Sequence, residues 1–240
     1  MKLGKGYLHA GLAVILAICM APAVIGCSSS CSDHRVARSE GIETDKLYNE
    51  VALPSYKVLA GNWSGSAVAI KPRLLITAAH VVLSDGGNPM QDIKIFSRIG
   101  KHTVICDAKV IKFRRAQDIA LLETNVDLPY TAQLIAREEI YEAVLWGSAV
   151  AASGYALGVD DPVVTEGRIT SLDTYGFMMY NCLTVFGNSG GPVYARSNGV
   201  WKVVSICQQV FTAGGPVCHM GLGMNTWSLL DFVYPPKENE

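Results

Sequence analysis

Residues 187–192 read Gly187-Asn188-Ser189-Gly190-Gly191-Pro192, and the chain is β-rich on both sides of this hexapeptide, from Gly176 to Asn181 and from Gly191 to Arg196. A glycine-flanked serine in a turn between two strands presents its hydroxyl beside backbone N–H groups that no bulky side chain obstructs. Such a point suits acyl transfer. An unassisted hydroxyl is a poor nucleophile, and the oxyanion formed by its attack needs donors already aimed at it. Ser189 is the candidate nucleophile.

Outward from the hexapeptide, short β-forming runs alternate with Gly, Pro, Asn and Asp clusters. Ser66–Ile70, Arg73–Thr77, Asp92–Ser97, Thr103–Phe113 and Ile119–Glu123 come first, then a polar, strand-poor stretch from Asn125 to Gly147. The pattern resumes with Ala149–Tyr155, Gly167–Asp173, Gly176–Asn181, Gly191–Arg196, Trp201–Cys207 and Leu222–Thr226. Many short strands punctuated by turns predict a closed all-β architecture. A short helix is expected over Leu229–Tyr234, beginning as early as Thr226 and ending before Pro235-Pro236.

The 240 residues are half hydrophobic with a formal charge of -1, enough to bury a core. Twenty Lys and Arg against 21 Asp and Glu leave no basic surplus for a nucleic-acid partner. No metal or nucleotide cofactor is expected. The cysteines lack Cys-x-x-Cys spacing, His219 beside Cys218 has no second ligand pair, and Gly86-Gly87 and Gly214-Gly215 lack the Lys-Ser/Thr of a phosphate loop.

The N-terminus has export-signal composition over residues 1–26: Lys2 and Lys5, then a nearly continuous apolar run from Leu12 to Ile25, with no acidic residue before Asp33. It ends in Val24-Ile25-Gly26-Cys27, which resembles a bacterial lipobox with Cys27 as the lipidated residue. An ordinary cleaved signal and a retained membrane helix are the other readings, the run being short for a span and containing Pro22. Residues 27–47 read as a Ser-rich, solvated tether. The folded domain is then expected over 48–235, its halves at about 48–128 and 145–235, with 236–240 a tail.

A serine nucleophile needs a base within reach and a third group to hold that base in the right tautomer. His80 closes the run Leu74-Leu75-Ile76-Thr77-Ala78-Ala79-His80, a buried-strand pattern that would set an imidazole at a strand end. Asp118 opens Asp118-Ile119-Ala120-Leu121-Leu122, and a carboxylate at the head of an apolar strand is costly to bury unless paired. The imidazole N–H is its natural partner.

Thr77-Ala78-Ala79-His80, Asp118-Ile119-Ala120-Leu121-Leu122 and the Ser189 hexapeptide, with Gly65-Ser66-Ala67-Val68 upstream, resemble the trypsin/chymotrypsin-like serine protease family in His, Asp, Ser order. Asn188, Gly154-Tyr155-Ala156-Leu157-Gly158 and Thr165-Glu166-Gly167-Arg168-Ile169 are similar to the protease domain of bacterial high-temperature-requirement enzymes. The resemblance implies two six-stranded antiparallel β-barrels and a short C-terminal helix. It also implies a triad of His80, Asp118 and Ser189, with an oxyanion hole from the N–H groups of Gly187 and Ser189. In such a triad the imidazole takes the serine proton and the carboxylate orients the ring. Asn188 stands where digestive members carry an Asp that receives a new N-terminal ammonium, so activation of that kind is not expected.

By the same resemblance, Leu183, Thr184 and Phe186 lie at the primary pocket, Ser205-Ile206-Cys207 form the strand that pairs with substrate, and Gly221 lies across the pocket. No carboxylate is present there to meet Lys or Arg, so a small or medium apolar P1 residue is expected. Beyond Cys27, five cysteines remain, an odd number. Cys207 and Cys218 are either a disulfide or two buried thiols. The reading is an exported serine endopeptidase acting on peptide or protein substrate, with the membrane as partner through its lipid anchor. A silent binding module and an esterase on the same triad are the alternatives.

Overall fold

This computed structural model describes residues 45–98, 103–174, 176–211 and 220–236. The export signal, Cys27, the tether up to residue 44 and Cys218 lie outside the described residues. All described residues belong to one compact unit.

The first half is a closed antiparallel barrel of six strands: β1 (Ser55–Ala60), β2 (Trp63–Lys71), β3 (Leu74–Thr77), β4 (Ile93–Ser97), β5 (Val104–Arg114) and β6 (Ile119–Thr124), arranged β1-β2-β3-β6-β5-β4. A two-residue strand, β7 (Gln133–Leu134), follows. The second half contains β8 (Ala149–Gly154), β9 (Val163–Thr174), β10 (Phe177–Tyr180), β11 (Pro192–Ser197), β12 (Val200–Phe211) and β13 (Met220–Met224). Its order is β11-β8-β9-β10-β13-β12, and pairing of β12 back onto β11 closes it into a second barrel. β7 runs parallel to β12 on its outside. The expected pair of six-stranded barrels is what the chain forms.

The long apolar runs are explained by burial on both faces of a strand. Side chains alternate across a strand, so Leu75, Ala120 and Leu122 fill the first barrel. Their neighbours Ile76, Ile119 and Leu121 point out of it and pack on Tyr194, Val203 and Ile206 of the second barrel. The second barrel has its own core of Val150, Ile169, Val193 and Val204. The C-terminal helix, Thr226–Val233, starts where Asn225 Oδ1 accepts the Trp227 N–H at 3.0 Å. It presses Leu229 and Phe232 into the layer between the barrels and Leu230 into the second core.

Several elements escape the sequence pattern. β1 carries Lys57 at a buried position, which breaks the apolar signature. Residues Leu47–Ala52 form one π-helical turn that inserts Val51 between the barrels. The strand-poor stretch holds β7 and a short helix, Ile140–Ala143. β9 also begins four residues before the expected Gly167.

Candidate active site

His80 sits on the helical turn Ala79–Val82 that follows β3, and Asp118 sits just ahead of β6, which pairs with β3. The carboxylate grips the histidine twice. Asp118 Oδ1 accepts the His80 backbone N–H at 2.8 Å, and Oδ2 lies 2.7 Å from His80 Nδ1. A carboxylate only accepts, so Nδ1 carries a proton, and in the neutral ring Nε2 keeps its lone pair. The imidazole side chain is 45% exposed and the carboxylate 24%, so the pair opens onto solvent from one side.

Asp118 itself has φ 49°, in the left-handed region that a side chain disfavours and that Asp tolerates better than most. It is held there from the other barrel. Gln208 Nε2 donates to Gln117 O at 2.6 Å and to Asp118 O at 2.9 Å. Against β13, Cys207 pairs with Gly223 and Gln209 with Leu222, so Gln208 is the extra residue of a bulge. Bulges re-aim side chains, and this one turns a buried amide toward the aspartate loop.

Ser189 reaches this pair through backbone packing of glycines. Ser66 N–H donates to Ser189 O at 2.7 Å. A Cβ on Gly190 would lie 2.2 Å from both Ser66 O and Thr77 Oγ1, and 2.7 Å from Ala78 N, two residues before His80. A Cβ on Gly65 would strike Val81 at 2.7 Å and Ser189 O at 3.0 Å. The serine turn is thus pressed onto the segment that carries the histidine, with no room for a side chain between them. The Ser189 hydroxyl forms no hydrogen bond with the His80 ring among the described residues. Bonds of this kind commonly tighten only in the substrate complex.

The backbone around Ser189 leaves two donors free. Among the described residues, the N–H groups of Gly187 and Ser189 donate to no protein acceptor. The carbonyls of the same two peptide units are held: Phe186 O accepts from Leu157 N at 2.6 Å, and Asn188 O accepts from Gly191 N at 2.8 Å. In a trans peptide the N–H points opposite to the carbonyl, so anchoring each carbonyl orients each donor. Gly187 has φ +93°, and a Cβ there would lie 2.3 Å from Tyr155 O, so only glycine fits. Ser66 Oγ ties the two sides, donating to Gly187 O at 2.6 Å and accepting from Tyr155 N at 2.8 Å.

A cleft of about 970 Å³ adjoins the His80–Asp118 pair, lined among others by Trp63, Phe177, Gln208 and Gln209. None of these four was among the site residues expected from sequence. Leu183 is half exposed and Phe186 almost wholly so, whereas Thr184 is buried with its hydroxyl on Cys182 O at 3.1 Å. Ser205, Ile206 and Cys207, expected to form the strand that pairs with substrate backbone, have buried side chains, and Ser205 Oγ donates to Met224 O at 2.7 Å. The strand reaches the cleft later, at Gln208 and Gln209. Gly221 pairs with Tyr180, whose ring occupies the space a Cβ would need, at 2.2 Å.

Cys106, Cys182 and Cys207 are free buried thiols. For the Cys207–Cys218 pair the structure therefore shows the thiol reading at Cys207. Burial pushes Cys182 up to about 12 and Cys207 up to about 11. Among the described residues, no three His, Cys, Asp or Glu side chains gather as a metal site requires, and no helix is long and apolar enough to cross a membrane.

Solved structures share this two-barrel architecture. The chain is similar to the Rv3671c protease in an inactive form, with TM-score 0.59 and 20% identity over 76% of this chain and 88% of that one. A serine-to-alanine mutant of the same Mycobacterium tuberculosis protein matches with TM-score 0.59 and 20% identity, over 75% and 84% of the two chains. A serine endoprotease from Yersinia pestis gives TM-score 0.64 and 21% identity over 80% of this chain and 66% of that one. At these identities the likeness is one of fold. An alignment over 74 positions, covering 29% of this chain, is 38% identical to the cell division topological specificity factor of Paracoccus denitrificans and covers 83% of it. That stretch is too short to account for two barrels. The sequence model of the trypsin-like peptidase domain matches residues 65–206, more than half of the chain, with His80, Asp118 and Ser189 all inside the match. The chain therefore belongs to the trypsin-like peptidase domain family.

Proposed function

We propose that this protein is an exported serine endopeptidase that cleaves peptide bonds after small or medium apolar residues. The observation that carries the reading is the doubly gripped histidine beside a serine turn whose two N–H groups, on Gly187 and Ser189, are uncommitted.

In this reading Ser189 Oγ attacks the scissile carbonyl carbon while His80 Nε2 takes the hydroxyl proton. Asp118 keeps the ring oriented and stabilises the imidazolium. The carbonyl oxygen becomes an oxyanion and settles between the two free N–H groups. When the intermediate collapses, the C–N bond breaks and His80 delivers its proton to the departing amine. Water, deprotonated by His80, then attacks the acyl ester, and the carboxylic acid leaves as Ser189 regains its proton.

The apolar preference rests on Leu183 and on the absence of an acidic residue from Leu183 to Phe186. Export and lipid attachment at Cys27 rest on the composition of residues 1–27, and place the enzyme on the periplasmic side of the envelope or outside the cell. A fluorophosphonate probe tests the centre directly: it is expected to label the wild type and not Ser189→Ala, with peptide cleavage lost in parallel. Equal labelling of both would remove Ser189 from the mechanism. An unlabelled, folded wild type would favour a binding module. Substrate profiling that shows cleavage mainly after Lys or Arg would overturn the P1 assignment. Unchanged membrane fractionation of Cys27→Ala would overturn the anchor.

A further inference from the structure

Lys57 is a lysine where a lysine is costly: on β1, its side chain only 10% exposed. Its ammonium donates to the backbone carbonyl of Gly158 at 2.6 Å and lies 3.2 Å from Asp160 Oδ1. Arg98, just past β4, reaches the other Asp160 oxygen at 3.5 Å. Both cations belong to the first barrel. Both acceptors belong to the loop between β8 and β9 of the second.

That loop is strained in a way that calls for an external hold. Leu157 has φ 54°, a strained conformation for a leucine, and Gly158 follows at φ +74°. Leu157 also supplies the N–H that holds Phe186 O at 2.6 Å, and so orients the peptide whose N–H is the Gly187 donor. Tyr155 O, two residues earlier, lies 2.3 Å from where a Cβ of Gly187 would be. The contacts form one series: Lys57 to Gly158, Leu157 to Phe186, and through that peptide to the Gly187 N–H.

We infer that Lys57 is a positioning residue for the oxyanion hole, an inter-barrel latch that keeps Leu157 in its left-handed conformation and the Gly187 N–H aimed at the reacting carbonyl. The latch touches neither substrate nor reacting atoms. Without it the Tyr155–Gly158 loop relaxes, the Phe186–Gly187 peptide turns, and one of two donors is lost while the His80–Asp118 pair stays intact. This inference rests on the proposed hydrolytic role of Ser189.

The test compares wild type, Lys57→Met and Ser189→Ala on a peptide ester and on the matching thionoester, whose sulfur takes little from an oxyanion hole. Loss of one donor outright costs about 10²- to 10³-fold in kcat, so a loosened donor should cost about tenfold. Lys57→Met is expected to lose about tenfold in kcat on the ester with KM within about twofold, and to lose much less on the thionoester. Arg98→Met, which keeps Lys57, is expected to show a smaller loss of the same kind. An unchanged kcat, or equal losses on both substrates, would overturn the latch, the second because it signals general damage. Failure of the underlying reading looks different: Ser189→Ala would retain activity.

Discussion

Replacing Gln208 by methionine would keep the volume of the side chain and delete both of its donated hydrogen bonds. Each net bond contributes about 1 kcal/mol, and a carbonyl that is only partly buried, left unpaired, costs about 1–2 kcal/mol, so the two carbonyls of Gln117 and Asp118 set a loss of about 2–4 kcal/mol. For a domain of this size that lowers the melting temperature by about 4–16 °C. The same substitution frees Asp118 from the grip that stabilises its φ of 49°. A displaced carboxylate no longer fixes the imidazole, and small misplacements of catalytic groups cost up to about 10²-fold in rate. Gln208→Met should therefore lower both melting temperature and kcat, by about tenfold or more for the latter, with KM little changed. Calorimetry and steady-state kinetics on one preparation read both quantities. A variant that melts within about 1 °C of wild type and turns over within about twofold would refute the view that this amide supports the aspartate.

Three further outcomes follow from particular contacts. Gly187→Ala adds a Cβ 2.3 Å from Tyr155 O at φ +93°, so it should fold with a displaced loop and lose about 10²- to 10³-fold in kcat, measured on a chromogenic ester. Glu139 is held down to about 2 by the Lys202 ammonium, the Ala136 N–H and the Ser197 hydroxyl. Its lowered folded value contributes stability that is complete above the ordinary carboxylate range near 4.5 and fades as pH falls through about 2. Glu139→Gln should remove at most about 3 kcal/mol of that term, seen as a flatter acid limb in urea denaturation between those pH values. Cys106, Cys182 and Cys207 are buried with raised thiol values, so mass spectrometry after iodoacetamide treatment should find all three unmodified in the native protein and alkylated in denaturant.

The parts of the site legible in the sequence are those whose chemistry is local. A nucleophile turn demands glycines beside the serine, and a strand-end histidine shows as an apolar run that stops at an ionisable ring. Leu74–Thr77 and Ile119–Thr124 were readable as strands because both faces are covered, one by each core. β1 was not, because Lys57 sits among its buried side chains and finds its partners 101 and 103 residues away. Gln208 was hidden for a related reason: a bulge changes which way a side chain points without changing composition. The family resemblance points to the backbone of Ser205–Cys207 and is silent on the next two residues, whose side chains line the cleft in the folded strand.

By itself the amino-acid order determined the class of fold and its two halves and pointed to the three side chains proposed to react, since strand periodicity and turn chemistry act over a few neighbouring residues. Tertiary structure alone decided how those side chains are held. The Asp118 conformation depends on an amide from the opposite barrel, and the aim of the Gly187 N–H depends on a loop latched by a lysine far upstream. Contacts between segments so distant along the chain are set by barrel closure and packing, and no local pattern encodes them.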